Sequence, residues 1–217
     1  MNVFRSLDEL LRRRDGVVTA HPFTLLIGAI GCYVLYGAAA GFFQGGWSLA
    51  MATLKVPLII VASLVLCLPS LYVFSGLGGA ELTPRAFATT VAGFAGITGL
   101  ILLALMPVIW LFSVSTLSLW FVVWLHLIVW IIALVFGRQF LVRSASTARA
   151  TIGLWLFLLF VVSLQMTTYV RPVLWRGGSE PLFATEKQSF FAHLGDVLNW
   201  KAPEAKKPAA ETSAPAR

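Results

Sequence analysis

Residues 117–137 read LSLWFVVWLHLIVWIIALVFG, 21 positions without one Asp, Glu, Lys or Arg. A helix rises about 1.5 Å per residue, so roughly 20 apolar residues cross the roughly 30 Å hydrocarbon layer of a bilayer. Four more runs of this kind lie at about 22–43, 56–77, 86–113 and 150–170. Read together, they predict an all-α, polytopic integral membrane protein whose core is a five-transmembrane-helix bundle.

The whole chain carries the same signal. Of its 217 residues, 59% are hydrophobic and only 12% charged, and mean hydropathy is +0.86. A soluble domain carries about 25% charge. These values exclude a soluble enzyme, a disordered chain and a disulfide-stapled secreted domain. A β-barrel is excluded too, because its strands alternate apolar and polar residues. The net charge of +7 does not mark a nucleic-acid binder: the Lys and Arg residues flank the apolar runs and fill the tail, and no basic face interleaves with aromatics. Cys32 and Cys67 sit inside apolar runs, where they act as small hydrophobes without metal-ligand spacing.

Around the spans, four regions follow. Residues 1–21 hold a capping box, Ser6 to Glu9, then Phe4, Leu7, Leu10 and Leu11 on one face against Arg5, Arg12, Arg13 and Arg14. This predicts an amphipathic helix on the cytoplasmic membrane surface. The length of the first run and the acids Asp8, Glu9 and Asp15 before it argue against a cleavable signal peptide. The membrane domain is 22–176. A second amphipathic segment, 177–200, opens with the capping box Thr185 to Gln188, and residues 201–217, rich in Ala, Pro, Lys and Glu, are expected to be a disordered tail.

Within the membrane domain, finer expectations arise. Gly37 and Gly41 form a Gly-x-x-x-Gly pair that permits close helix approach, and Gly93, Gly96 and Gly99 fall near one face. A short interfacial helix is expected over 44–55, with Trp47, Met51 and Leu54 on one side. Thr83-Pro84 opens the third span. The short connection 114–116 predicts an antiparallel hairpin of spans three and four. Residues 138–149 read as a basic loop.

Positive charge favours cytoplasmic loops. Arg5, Arg12, Arg13, Arg14, Arg85, Arg138, Arg143 and Arg149 fall on the side of the N-terminus; Lys55, Arg171, Arg176 and Lys187 fall opposite. The N-terminus is therefore expected in the cytoplasm and the C-terminus in the periplasm of a bacterial inner membrane.

The stretch Lys55-Val56-Pro57 through Cys67-Leu68-Pro69-Ser70-Leu71-Tyr72-Val73-Phe74, the Leu82-Thr83-Pro84-Arg85 loop and the Gln165-Met166 to Arg171-Pro172 ending resemble, as a set, an uncharacterised bacterial family of small five-span membrane proteins. The resemblance covers about residues 50–198. In span count and internal prolines the chain is also loosely similar to the Yip family, which acts in membrane traffic with small GTPases. Members of the bacterial family sometimes carry a label as actin-binding proteins of the WASP-homology-two type. That module needs a Leu-Lys-Lys-Thr-like anchor, and Ala205-Lys206-Lys207-Pro208 departs from it at both ends. Actin is not an expected partner. The resemblance implies an architecture and no activity.

Candidate functional residues are few. An ionisable group inside the membrane is costly to bury and is a functional candidate by default. His126 is the one histidine placed deep in a span; it suits a proton step or a cofactor ligand, or else a neutral imidazole hydrogen-bonded between helices. Pro69, Ser70 and Pro107 are helix-kink candidates, which either line a substrate path or merely bend helices whose freed carbonyls serine hydroxyls satisfy. Gln165 is an intramembrane polar candidate. Phe190, Leu194, Val197 and Leu198, at i, i+4, i+7 and i+8, are partner-docking candidates, forming an apolar face expected either to dock on a partner or to lie in the membrane interface. No Asp, Glu, Lys or Arg lies inside the five runs, and no catalytic or metal motif occurs. No cofactor is expected. The expected function is a non-enzymatic inner-membrane scaffold, anchor or regulatory subunit of a larger assembly. Its partners are the lipid bilayer and other membrane proteins or a second copy of the chain. The alternative is a transport component, either a small-solute permease or a transporter's membrane subunit.

Overall fold

The computed structural model describes residues 21–41, 46–77, 79, 83–116, 118–144 and 149–169. Among them every regular element is helical: α1 Pro22–Gly41, α2 Gly46–Leu77, α3 Pro84–Ser115, α4 Leu119–Ser144 and α5 Arg149–Tyr169. The amphipathic segments expected over 1–21 and 177–200, with Phe190, Leu194, Val197 and Leu198, lie outside the described residues. Four helices are long and apolar enough to cross a membrane: Pro22–Gly41, Leu49–Leu77, Pro84–Ser115 and Trp120–Ser144. The apolar stretch of α5, Thr151–Thr167, is shorter. The chain is a helical membrane protein with several transmembrane-type helices.

The helix ends follow from local chemistry. Pro22 and Pro84 start α1 and α3, where proline's missing N–H is no loss and its fixed φ suits the first turn. Thr83 caps α3, its hydroxyl accepting from the Ala86 N–H at 3.3 Å. The α3–α4 turn is closed by Thr116, whose N–H donates to the Phe112 carbonyl. Ser118 Oγ then accepts from the Phe121 N–H at 3.4 Å. The expected hairpin is present, and Phe112 and Phe121 meet edge-on across it at 5.2 Å.

Two expectations are corrected. The described part of the interfacial helix expected over 44–55, from Gly46 onward, is not a separate element but the first turns of α2, which runs through Pro57 and Pro69 without a break. Packing against α1 along Leu49, Ala52 and Val56 holds the helix together across Lys55 and Pro57. Nor do residues 138–144 form a basic loop. α4 continues to Ser144, with Arg143 in its last turn, where a cation meets the negative end of the helix dipole. The apolar residues Phe140, Leu141 and Val142 in this stretch pack inward. The helices thus reach past the uncharged runs and include Lys55, Arg138 and Arg143. At 32 residues each, α2 and α3 are about 48 Å long at 1.5 Å per residue, so they tilt or extend beyond the hydrocarbon.

The main packing pairs are α1 with α2 and α3, α3 with α4, and α5 with α2 and α4. They close a ring in the order α1, α2, α5, α4, α3. Gly37 of α1 abuts Ala52 and Val56 while Gly41 abuts Leu49 and Ala52, so α1 and α2 run antiparallel. Leu25 clusters with Ala92, and Cys32 with Gly99, so α1 and α3 run parallel. Inside the ring lie Tyr33, Ile60, Leu64, Phe94, Leu102, Ala133, Trp155 and Leu159. Leu35, Leu66, Trp110, Ile128 and Phe157 stand on the outside, exposed. An apolar outer surface is what lipid, rather than water, tolerates.

Candidate functional site

The polar groups inside the ring gather at three places. The first joins α1 to α3. Tyr33 is buried, and its hydroxyl donates to the Ala95 carbonyl at 2.8 Å and lies 2.8 Å from Thr98 Oγ1. This contact needs α1 and α3 close together. Gly99 permits it, because a Cβ there would stand 3.2 Å from Cys32 Cβ and 3.3 Å from the Ala29 carbonyl oxygen.

The second is the Cys67 carbonyl of α2. It accepts from Ser70 Oγ at 2.8 Å and from the Trp155 indole N–H of α5 at 2.9 Å. Pro69 lies between Cys67 and Ser70, although the carbonyl that its missing N–H leaves free is that of Val65, four residues earlier. Trp155 is fully buried and also meets Phe94 edge-on at 5.5 Å. Its indole therefore ties α5 to α2 at the proline turn.

The third is His126. Its Nδ1 lies 2.8 Å from the Val122 carbonyl oxygen. A carbonyl only accepts, so Nδ1 carries the proton and Nε2 of the neutral ring is a bare acceptor. Nε2 is fully covered, with no partner among the described residues. The Tyr36 ring of α1 stands edge-on to the imidazole, centroids 5.9 Å apart. The Tyr36 hydroxyl is likewise buried without a described partner. His21, at the foot of α1, is 15 residues before Tyr36, about 22 Å along the helix, so it does not share a ligand with His126. Among the described residues no three His, Cys, Asp or Glu side chains group closely enough to hold a metal ion.

Tyr33, Ile60, Thr98, Trp130 and Ser163 contribute to the lining of a cavity of about 20 Å³, to which all five helices contribute. Such a volume holds about one water molecule.

The residues singled out in the sequence are scattered by the fold. Pro69 and Pro107 lie on exposed faces of unbroken helices, pointing away from the interior. Ser70 bonds its own helix. Gln165 is exposed near the end of α5 and engaged in an interaction of its own. Ser70 shares the Cys67 carbonyl with Trp155, and His126 lies beside Tyr36, one turn from Trp130. Sequence reasoning missed Tyr33, Tyr36 and Trp155. Tyr33 and Tyr36 are three apart on the same small-residue face as Gly37, a signal that was available; nothing in the run around Trp155 set it apart from the other seven tryptophans.

Among protein-family models, curated proteins and solved structures, none matches this chain.

Proposed function

We propose that this chain is a non-enzymatic scaffold, anchor or regulatory subunit of a larger assembly in the bacterial inner membrane. The observation that carries this reading is the filled interior among the described residues. The cavity shared by all five helices has room for about one water molecule, and Pro69 and Pro107 face outward. A permease needs a solute-sized path and polar groups along it. The interior of this ring is filled instead by aliphatic and aromatic side chains, while large apolar residues cover its outside. Partner helices or a second copy would pack on that outer surface.

Five spans, with the N-terminus in the cytoplasm and the C-terminus in the periplasm, belong to the same proposal. α5 is 21 residues long, about 31 Å, and it lies beside α2 and α4, which supports its crossing the bilayer with them. The C-terminal face of Phe190, Leu194, Val197 and Leu198 is the proposed docking segment for the partner, and the family resemblance supports the five-span layout alone.

Three experiments test the reading. The chain reconstituted alone in liposomes should pass no small solute or ion above the protein-free control; a saturable flux would replace the scaffold with the transport alternative. In mild detergent it should co-purify with a stoichiometric membrane protein that is lost when residues 186–217 are deleted. Reporter fusions after residues 14 and 145 should read cytoplasmic, and fusions after 200 periplasmic.

A further inference from the structure

We propose that Arg138 of α4 holds the phosphate of an anionic phospholipid, such as phosphatidylglycerol, drawn below the level of its neighbours in the leaflet at the C-terminal end of α4. The proposal stands independently of the scaffold reading. It starts from a step in the apolar belt of the bundle. α1 is 20 residues long, about 30 Å, which is the thickness of the hydrocarbon layer. Leu25 of α1 clusters with Ala92 of α3, and Cys32 lies against Gly99. Gly137 of α4 lies against Phe94 and Thr98 of the same helix α3. Gly137 and Arg138 therefore stand level with about residues 27–31 of α1, some 8–14 Å inside its Pro22 end. Through that stretch α1 is uncharged, while α4 carries an exposed arginine.

Arg138 is poorly placed to bring its charge to water unaided. A long cationic side chain near a helix end usually lays its stem along apolar surface and reaches the interface with its head. Every Cα–Cβ bond of a helix tilts toward the helix N-terminus, and in α4 that direction is the membrane middle. The stem of Arg138 therefore starts away from the nearer interface. The bundle does not neutralise the charge either, since the described residues include no Asp or Glu. An exposed guanidinium at this depth is met by local thinning of the leaflet, which brings an anion down to it.

The surface around Arg138 defines that anion. Val135, Ile131 and Ile128 lie three, seven and ten residues before it, on one stripe of the helix, and each is about half exposed. The stripe leads from Arg138 toward the membrane middle and suits an acyl chain. Gln139 and Arg143, both exposed, add an amide donor and a second cation on the side of the headgroups. A guanidinium fork matches a phosphate through two parallel hydrogen bonds. A ligand with a phosphate at one end and apolar chains at the other fits both parts of this surface. Net charge selects an anionic headgroup over phosphatidylethanolamine, whose ammonium offsets its phosphate. An acidic partner helix fits less well, because its carboxylate would itself have to enter the hydrocarbon, whereas a phosphate arrives with its own hydrated headgroup.

Native mass spectrometry tests this on the full-length chain, released from detergent micelles loaded with equal amounts of phosphatidylglycerol and phosphatidylethanolamine. The chain should keep phosphatidylglycerol about fivefold over phosphatidylethanolamine, the factor that one cation is worth at an anionic surface. Arg138→Gln should bring that ratio close to one, with helix content by circular dichroism unchanged. Glycerol 3-phosphate, which offers the phosphate without chains, should not displace the lipid. Equal retention of the two lipids by the unaltered chain overturns the proposal, as does a ratio that survives Arg138→Gln. Displacement by glycerol 3-phosphate overturns the assignment to a lipid, and so does a second polypeptide that is retained in place of lipid and lost in Arg138→Gln. If Arg138→Gln does not fold, Arg138→Lys keeps the charge and loses the fork. It should lower the ratio part of the way, and an undiminished ratio counts against the site.

Discussion

Two seams of the bundle are held in different ways. Where α1 meets α2 and α3, glycines bring backbones together: a methyl at Gly37 would stand 2.8 Å from the Ala52 carbonyl oxygen, and Gly99 lies against Cys32 and Ala29. Where α5 meets α2, one large side chain reaches across, and Trp155 hydrogen-bonds a carbonyl of the facing helix. The face of α5 around Gly153 is open, so a methyl placed there would have no neighbour within 4 Å, and α4 and α5 touch only sparingly. In lipid there is no hydrophobic drive to bring helices together, so they associate through close packing of small residues or through interhelical hydrogen bonds. The first seam uses mainly the former and the α2–α5 seam mainly the latter. A packed seam spreads its stability over many atoms; a tethered one concentrates it in a single residue.

That contrast breaks most visibly at Trp155. Trp155→Ala removes a buried aromatic and should cost about 3–5 kcal/mol, measured by denaturant titration in mixed micelles. Trp155→Phe keeps most of the volume and loses the bond to Cys67, which should cost roughly 1 kcal/mol. A Trp155→Phe cost near zero would mean that the indole hydrogen bond is not the tether.

On the packed seam, Gly37→Ala should cost about 1–3 kcal/mol, since the clash is with backbone and the helices must part. Gly137→Ala tests the same logic between α3 and α4, where a methyl would stand 2.5 Å from Phe94 Cε2. Phe94 is buried against Trp155, and Thr98 Cγ2 would stand 2.9 Å away as well, so the cost should be comparable.

Tyr33→Phe removes the bond to the Ala95 carbonyl and should cost roughly 1 kcal/mol. If the loss exceeds that of Gly37→Ala, hydrogen bonding rather than close packing dominates the α1 seams.

The smallest expected effect has the opposite sign. Gly153→Ala meets no neighbour, so the higher helix propensity of alanine should leave stability unchanged or raise it by up to about 1 kcal/mol. A loss would show that the open face of α5 is covered, for instance by a second copy of the chain in the same micelle, and analytical ultracentrifugation would then detect the association.

The cores of all five helices were legible from uncharged run length, which is a local property. Thr83-Pro84 and the short 114–116 connection pointed to one helix start and the hairpin, because caps and turns are local too. The Gly-x-x-x-Gly pair Gly37–Gly41 pointed to the α1–α2 approach. The misreadings came at Gly137 and at Lys55 to Pro57. Each carries a local stop signal that tertiary contacts override: Gly137 is small because Phe94 and Thr98 lie against it, not because the helix ends there. Of the candidate site, His126 was legible as an apolar-run histidine, but Tyr36 was not, since its role depends on which helix faces it.

By itself, the sequence determined that this is a helical membrane protein, because hydrocarbon admits only segments that satisfy their own backbone and carry no charge. It also determined where small residues permit contact. Only the tertiary structure decided that α5 sits between α2 and α4, that Pro69 and Pro107 turn outward, and that Tyr36 meets His126. Those facts depend on the order of helices around the ring. Apolar helices of similar composition are interchangeable to lipid, so that order is set by the fit of particular glycines, one indole and two hydroxyls against residues distant in the chain.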